Sequence, residues 1–207
     1  MKYKLTDETK EVLGKTLHRI ICVTAFASVS VGDMGGWIES ENNLDQSGDA
    51  WVSGDARVYG NACVSGNANV YGDANVYGNA NVYGNANVYG NACVSGNANV
   101  YGDANVYGNA KVYGNAKVYG DAWVYGNADV YGNAEVSKSS DYAVYKNTWS
   151  SMRYFTWTRS NDKWRVGCFY GTGEELIEKA YKDSKLSGEC YKAVVDMRNK
   201  LTELESA

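Results

Sequence analysis

Proline is absent from this 207-residue chain, histidine occurs once, at His18, and phenylalanine only three times. The 44% hydrophobic content falls mainly on Val and Ala, spread evenly, which suits a thin stacked core better than a globular one. With no proline, the turns rest on 23 glycines, and these recur at fixed spacing, so they are turn residues and not linker composition. There is no basic stretch. Lys and Arg are interspersed among the acids at a net charge of -4, which disfavours nonspecific nucleic-acid binding, where phosphate contacts need clustered cations. The five cysteines (Cys22, Cys63, Cys93, Cys168 and Cys190) form no CxxC pair and are odd in number. No metal site, secreted disulfide framework or cofactor is expected from them, and a reduced cytoplasm is the expected compartment. The N-terminus, MKYKLTDETKEVLG, lacks the uninterrupted apolar run of a signal peptide, and no segment is long enough to cross a bilayer.

What is present is a period. From Val52 to Glu135 the sequence is fourteen consecutive units of Val-(Tyr/Ser)-Gly-(Asn/Asp)-Ala-x. A preceding unit, QSGDAW, keeps the Gly, Asp and Ala but loses the Val, and after Glu135 the pattern decays in VSKSSD. Such self-similarity outranks every other cue to architecture. Read as Ala-x-Val-Tyr, four residues alternate inward and outward: Val and Ala face one side, Tyr and x the other. The Gly-Asn or Gly-Asp that follows tolerates positive φ and turns a corner. Three such sides close a triangular coil, and coils stack at the strand spacing of about 4.8 Å. Fifteen units then make about five coils and a rod roughly 24 Å long. Hydrogen bonds run between coils, so no unit is stable alone. Strict alternation argues against a disordered or amyloid-like array; a solenoid with a different cross-section is the closer rival.

These units resemble the hexapeptide-repeat, left-handed β-helix family, whose units place an aliphatic residue at one inward position and a small one at the other. The resemblance implies a mainly β fold, a triangular parallel β-helix over 46–141; the flanking residues read as a small β-rich cap at 1–45 and a C-terminal module at 142–207. In the cap, YKL, TLHRIICV and VSVG read as strands and GDMGG as a turn before WIES. A solenoid end exposes apolar rungs and unpaired backbone, so a cap is required. After the rod, YFTWTRSNDKWRVGCF reads as a hairpin turning at Ser160-Asn161-Asp162. Thr172 with Glu175 fits a capping box opening the helix EELIEKAYKDS, and a second helix is expected from Ser187 through YKAVVDMRNKLTEL. This ββαα module is suited to capping the rod, forming a homo-oligomer or contacting a partner.

Sorting outward positions onto three faces makes one stand out. It carries Trp51, Asn69, Asn87, Asn105 and Trp123, flanked by Ser53, Tyr71, Tyr89, Tyr107 and Tyr125. It is uncharged along its centre and bracketed by two tryptophans. Flat π surfaces and amides suit a sugar, a nucleobase or a protein surface. Trp51, Tyr71, Asn87, Tyr89, Asn105, Tyr107, Trp123 and Tyr125 are therefore the candidate binding residues. Against this, identical aromatics on successive rungs support one another and need no ligand. The segment NACVSGNANVYGDANVYGNA occurs at both 61–80 and 91–110, an offset of five units and not of whole coils, as in an array grown by unit copying.

Many hexapeptide-repeat proteins are acyltransferases that use a His as general base. Here the only histidine, His18, lies in a cap strand, and units 52–135 run without the loop that usually carries such a residue. GTGEE at 171–175 lacks the Lys-Ser/Thr that completes a phosphate loop. No catalytic residue is therefore assigned, with an acyltransferase using His18 kept as the alternative reading. Outward positions are mostly Asn and Tyr, which disfavours mimicry of DNA, and ice binding would want rows of small Thr-like residues. Together, GDMGGWIESENNL and YFTWTRSNDKWRVGCFYGTGEELIEKAYKDS resemble hexapeptide-repeat proteins encoded by bacteriophages and prophages. That resemblance implies a non-enzymatic protein of the bacterial host cytoplasm that sequesters or blocks a host molecule, either a nucleotide-like ligand or a defence protein. A structural accessory of the virion is a third reading.

Overall fold

The computed structural model describes residues 1–206 and is dominated by the array. Fifteen two-residue strands, from β4 (Trp51–Val52) to β18 (Glu135–Val136), recur every six residues. Each strand before the last coil pairs in parallel with the strand one coil on: Asn69 with Asn87 and Asn87 with Asn105, Val70 with Val88 and Val88 with Val106. The rungs thus sort into three sheets, and the coil is three-sided. Every repeat Val is fully buried and every repeat Ala is at most 1% exposed. Each buried Val contributes roughly 1.5–3 kcal/mol relative to exposure, so the stack of valines is the main source of stability.

The strands are shorter than the alternation predicts, because only x-Val pairs with both neighbouring coils. The Tyr and the Gly-Asn corner are held by single bonds such as Tyr71 N–H to the Val88 carbonyl at 3.0 Å and Asn79 N–H to the Gly96 carbonyl at 2.7 Å. The corner glycines all have φ between 61° and 76°, whereas no corner Asn or Asp does. Asparagine serves the corner in another way. Asn61, Asn79, Asn97, Asn115 and Asn133 form one ladder in which each Nδ2 donates to the next Oδ1 at 2.9–3.1 Å. Stacked identical amides satisfy one another as they do in cross-β assemblies.

The N-terminal cap adds more than a lid. Strands β1 (Tyr3–Val12) and β2 (Lys15–Cys22) form a hairpin, and β3 (Met34–Ile38) joins its edge antiparallel to β2. β3 then pairs in parallel with Arg57–Val58, and Leu44 bridges Val64. These two extra rungs bring the rod close to six turns where the repeat alone accounts for five. The GDMGG segment, expected as a turn, is largely strand. Its glycines are needed for close approach: a Cβ on Gly35 would lie 2.7 Å from the Trp51 ring, and one on Gly36 2.8 Å from the Ala56 carbonyl oxygen. VSVG does not form a strand, since Val29 makes only an isolated bridge to Phe26.

The C-terminal module has four strands where the sequence reading expects two. β19 (Tyr142–Lys146), β20 (Tyr154–Thr158), β21 (Lys163–Val166) and β22 (Phe169–Gly171) form an antiparallel sheet in that order. Tyr-Ala-Val-Tyr has the alternation of a rung, and period alone does not distinguish a parallel rung from an antiparallel strand. α1 (Gly173–Asp183) opens with the expected capping box, the Thr172 hydroxyl accepting from the Glu175 N–H at 3.2 Å and the Glu175 carboxylate from the Thr172 N–H at 2.7 Å. α2 (Lys185–Ser206) starts two residues before the expected Ser187. Phe155, Trp157, Trp164, Leu176, Ala180, Tyr191 and Val195 form this module's own core.

Both rod ends are closed by side chains as well as backbone. At the N-terminal end the Lys2 ammonium donates to the carbonyls of Ser47, Gly48 and Ala50 at 3.3, 3.3 and 2.7 Å. At the other end, N–H groups of the last coil meet hydroxyl oxygens: Trp123 with Ser139 (3.2 Å), Tyr125 with Tyr142 (3.2 Å), Asp129 with Thr156 (2.8 Å) and Glu135 with Ser160 (2.7 Å). Buried backbone donors need such partners, and no further coil is there to supply carbonyls.

Candidate binding site at the end of the tyrosine ladder

One of the three faces is largely covered. Leu17, Trp37 and Tyr59 are buried together under the N-terminal hairpin, with Val12 and Tyr77 against them. Further along, the Arg165 guanidinium lies 5.7 Å from the Tyr113 ring and 4.9 Å from that of Tyr131, and its Nε donates to the Tyr113 hydroxyl at 2.8 Å. Burial pushes the Tyr113 phenol upward, with Asp129 adding to the shift. This face docks the two flanking modules.

The face singled out from sequence carries a continuous ladder. Tyr71–Tyr89 and Tyr89–Tyr107 stack at 4.8 Å with planes 2° and 1° apart, and Tyr107–Tyr125 at 5.3 Å and 13°. This geometry corrects the expectation of flat exposed π surfaces. Inside the ladder each ring spends its faces on its neighbours, leaving edges and hydroxyls outward. The outward asparagines are engaged as well: Asn87 Nδ2 donates to the Asn85 carbonyl at 3.1 Å and Asn105 Nδ2 to that of Asp103 at 2.9 Å. The same bond recurs on the other faces, at Asn75, Asn81 and Asn99, so it belongs to the turn.

Trp51 does not bracket the exposed face. It is 6% exposed and packs edge-on with Tyr3 and Phe26 under the cap, because the rod's first coil must be covered there. Trp123 is 51% exposed and leans edge-on against Tyr107 at 6.3 Å. Tyr71, at the other end of the ladder, is 38% exposed, so the most exposed aromatics of this face, Trp123 and Tyr125, are at the C-terminal end. There Tyr125, 48% exposed, borders an open pocket of 360 Å³ whose walls also include Asn127, Ser139, Tyr142, Val144 and Tyr154. Tyr107 covers one face of Tyr125, and Ser139, Tyr142, Val144 and Tyr154 come from the segments that close the rod beyond it.

The pocket's residues are held by different means. The Tyr142 hydroxyl donates to the Trp123 carbonyl at 3.0 Å while accepting from the Tyr125 N–H, and burial is the main cause pushing its phenol up to about 12. Tyr154, 44% exposed, has the Lys146 ammonium 5.6 Å from its ring centroid. The site thus offers aromatic surface, an amide, a hydroxyl and one nearby cation. Ser139, Tyr142, Val144 and Tyr154 were missed by sequence reasoning, which followed the repeat and stopped where it decays. His18 sits at the opposite end of the rod, its Nδ1 3.3 Å from the Thr6 carbonyl oxygen. Among the described residues no cluster of three or more His, Cys, Asp or Glu is placed to hold a metal, and no helix is long and apolar enough to cross a membrane.

A three-sided stack of parallel two-residue rungs around a Val/Ala column defines a repeat β-solenoid. The family model of the YdcK beta solenoid repeat matches residues 50–66, 56–72 and 110–126, spans whose starts differ by whole hexads. No curated protein matches the chain.

Proposed function

We propose that this protein is a non-enzymatic, phage-derived binding protein of the bacterial host cytoplasm that sequesters or blocks a host molecule. The observation that carries this reading is the end of the ladder. Tyr125 is stacked on one side only and borders an open pocket with Tyr142 and Tyr154, and Trp123 stands exposed beside it. A planar group entering there would extend the ladder by one ring. Offset stacking of this kind is worth about 0.5–1.5 kcal/mol beyond area burial. A nucleobase or an aromatic side chain of a host protein has the required shape, and a volume of 360 Å³ suits one such group with its immediate attachments. The flanking segments, which resemble phage and prophage hexapeptide-repeat proteins, support the setting.

The test is mass spectrometry of the small molecules and proteins that co-purify with the tagged protein from infected-cell lysate, with the Trp123→Ala/Tyr125→Ala double variant run in parallel. A species retained by the wild type and lost by the folded variant supports the reading. Identical profiles from the two would remove this end of the rod from consideration.

A further inference from the structure

Two arginines converge on one buried indole in the core of the C-terminal module. Trp157 on β20 is 2% exposed, and its Nε1 donates to Asp162 Oδ1 at 2.8 Å. The Arg198 guanidinium from α2 lies 4.6 Å from the ring centroid, and that of Arg159, just beyond β20, lies 5.7 Å from it. The Arg198 side chain is only 8% exposed. Burying a guanidinium without a counter-charge is strongly unfavourable, and two of them over one ring also repel.

The counter-charge comes from the last turn of α2. Glu205 Oε2 accepts from Arg198 Nη2 at 2.7 Å and also from Arg159 Nη2. Its carboxyl is held below the usual carboxylate range, chiefly by the Arg198 hydrogen bond and then by that of Arg159. Asp141 adds a longer ion pair to Arg159 at 3.9 Å. A terminal helical turn is the least expensive part of a helix to unravel, so displacing Glu205 costs less than displacing a residue from mid-helix. Beside it lies an open pocket of 620 Å³ lined by Trp157, Arg159, Asp162, Asn199, Thr202 and Glu203.

We propose that the Arg159–Arg198 pair over Trp157 is a binding site for a phosphate monoester, and that the Glu205 carboxylate fills it in the free protein and is displaced by the ligand. A phosphate monoester carries roughly 1.5–2 negative charges and three acceptor oxygens, more than one carboxylate offers to two guanidinium forks. The pocket beside the pair has room for whatever the phosphate is attached to. This site is separate from the end of the ladder and stands or falls independently of it.

The experiment is calorimetric titration of inorganic phosphate into the full-length wild type, Glu205→Gln and Glu205→Gln/Arg159→Gln. Removing the internal competitor is expected to tighten phosphate binding about tenfold. The added Arg159→Gln change is expected to abolish that gain while the protein still melts cooperatively. O-phosphoserine and adenosine monophosphate, titrated into Glu205→Gln, separate the two sources of such a group. Tighter binding of either than of inorganic phosphate supports the site and identifies the source. If Glu205→Gln gains no affinity for inorganic phosphate and only melts at a lower temperature, the contact is a plain staple between α2 and β20, and the proposal is overturned.

Discussion

Tyr125 stacks on Tyr107 with ring centroids 5.3 Å apart, and the rung that carries Tyr125 is the last of its sheet. Tyr89, by contrast, stacks at 4.8 Å on both Tyr71 and Tyr107. The two positions should separate structure from binding. Tyr89→Ala is expected to cost about 1–3 kcal/mol, two stacking contacts, in urea denaturation. Tyr125→Ala, which loses one such contact, is expected to cost about 0.5–1.5 kcal/mol by the same estimate while eliminating retention of the co-purifying ligand. Equal effects of both on stability, with retention intact, would make the whole ladder a structural device.

The hydroxyl closure of the rod can be tested at its most buried member. Thr156 is 1% exposed and its hydroxyl accepts from the Asp129 N–H at 2.8 Å. Thr156→Val keeps the shape and leaves that donor unpaired, at an expected cost of about 1–3 kcal/mol. A urea midpoint unchanged from wild type would show that water reaches the donor instead.

Because every rung before the last coil pairs with the one eighteen residues on, the length of the array is adjustable in whole coils. Deleting residues 81–98 should give a cooperatively folded protein, shorter by about 4.8 Å in small-angle scattering, with both ends still on their original faces. Deleting only 81–86 should also fold but turn the C-terminal module by about a third of a revolution against the cap, since the array has three sides. Distance measurements between a label at Leu13→Cys and one at the exposed Cys168 would read this rotation, and an unchanged distance would contradict it.

Alkaline pH should weaken the C-terminal end. Tyr142 has its phenol pushed up to about 12, chiefly by burial, and burial moves Tyr89 and Tyr101 in the same direction. An unfolded tyrosine ionises near pH ~10, before the folded one. The stabilisation is therefore fully present below about pH 10 and is lost as pH rises through the folded value. Melting temperature followed from pH 9 to 12 should fall more steeply for the wild type than for Tyr142→Phe. Parallel curves would show that Tyr142 is not the group responsible.

The hexad by itself determined the three-sided column, the inward Val and Ala and the turning Gly, because a six-residue period with strict alternation has few other ways to bury its apolar side. The Thr172–Glu175 capping box was legible for the same local reason. What the period does not encode is which outward positions remain outside. Trp51 and Trp123 occupy equivalent places in the repeat, yet the N-terminal cap buries one and leaves the other open. The tertiary structure also decided that tyrosines stack face to face, which occupies the ring surfaces inside the ladder. It built the pocket from Tyr125 together with Ser139, Tyr142 and Tyr154, residues beyond the end of the repeat that meet only when β19 and β20 fold back against the last coil. Periodicity reports the contacts a chain makes with copies of itself; sites arise where those copies end, and there only long-range packing decides.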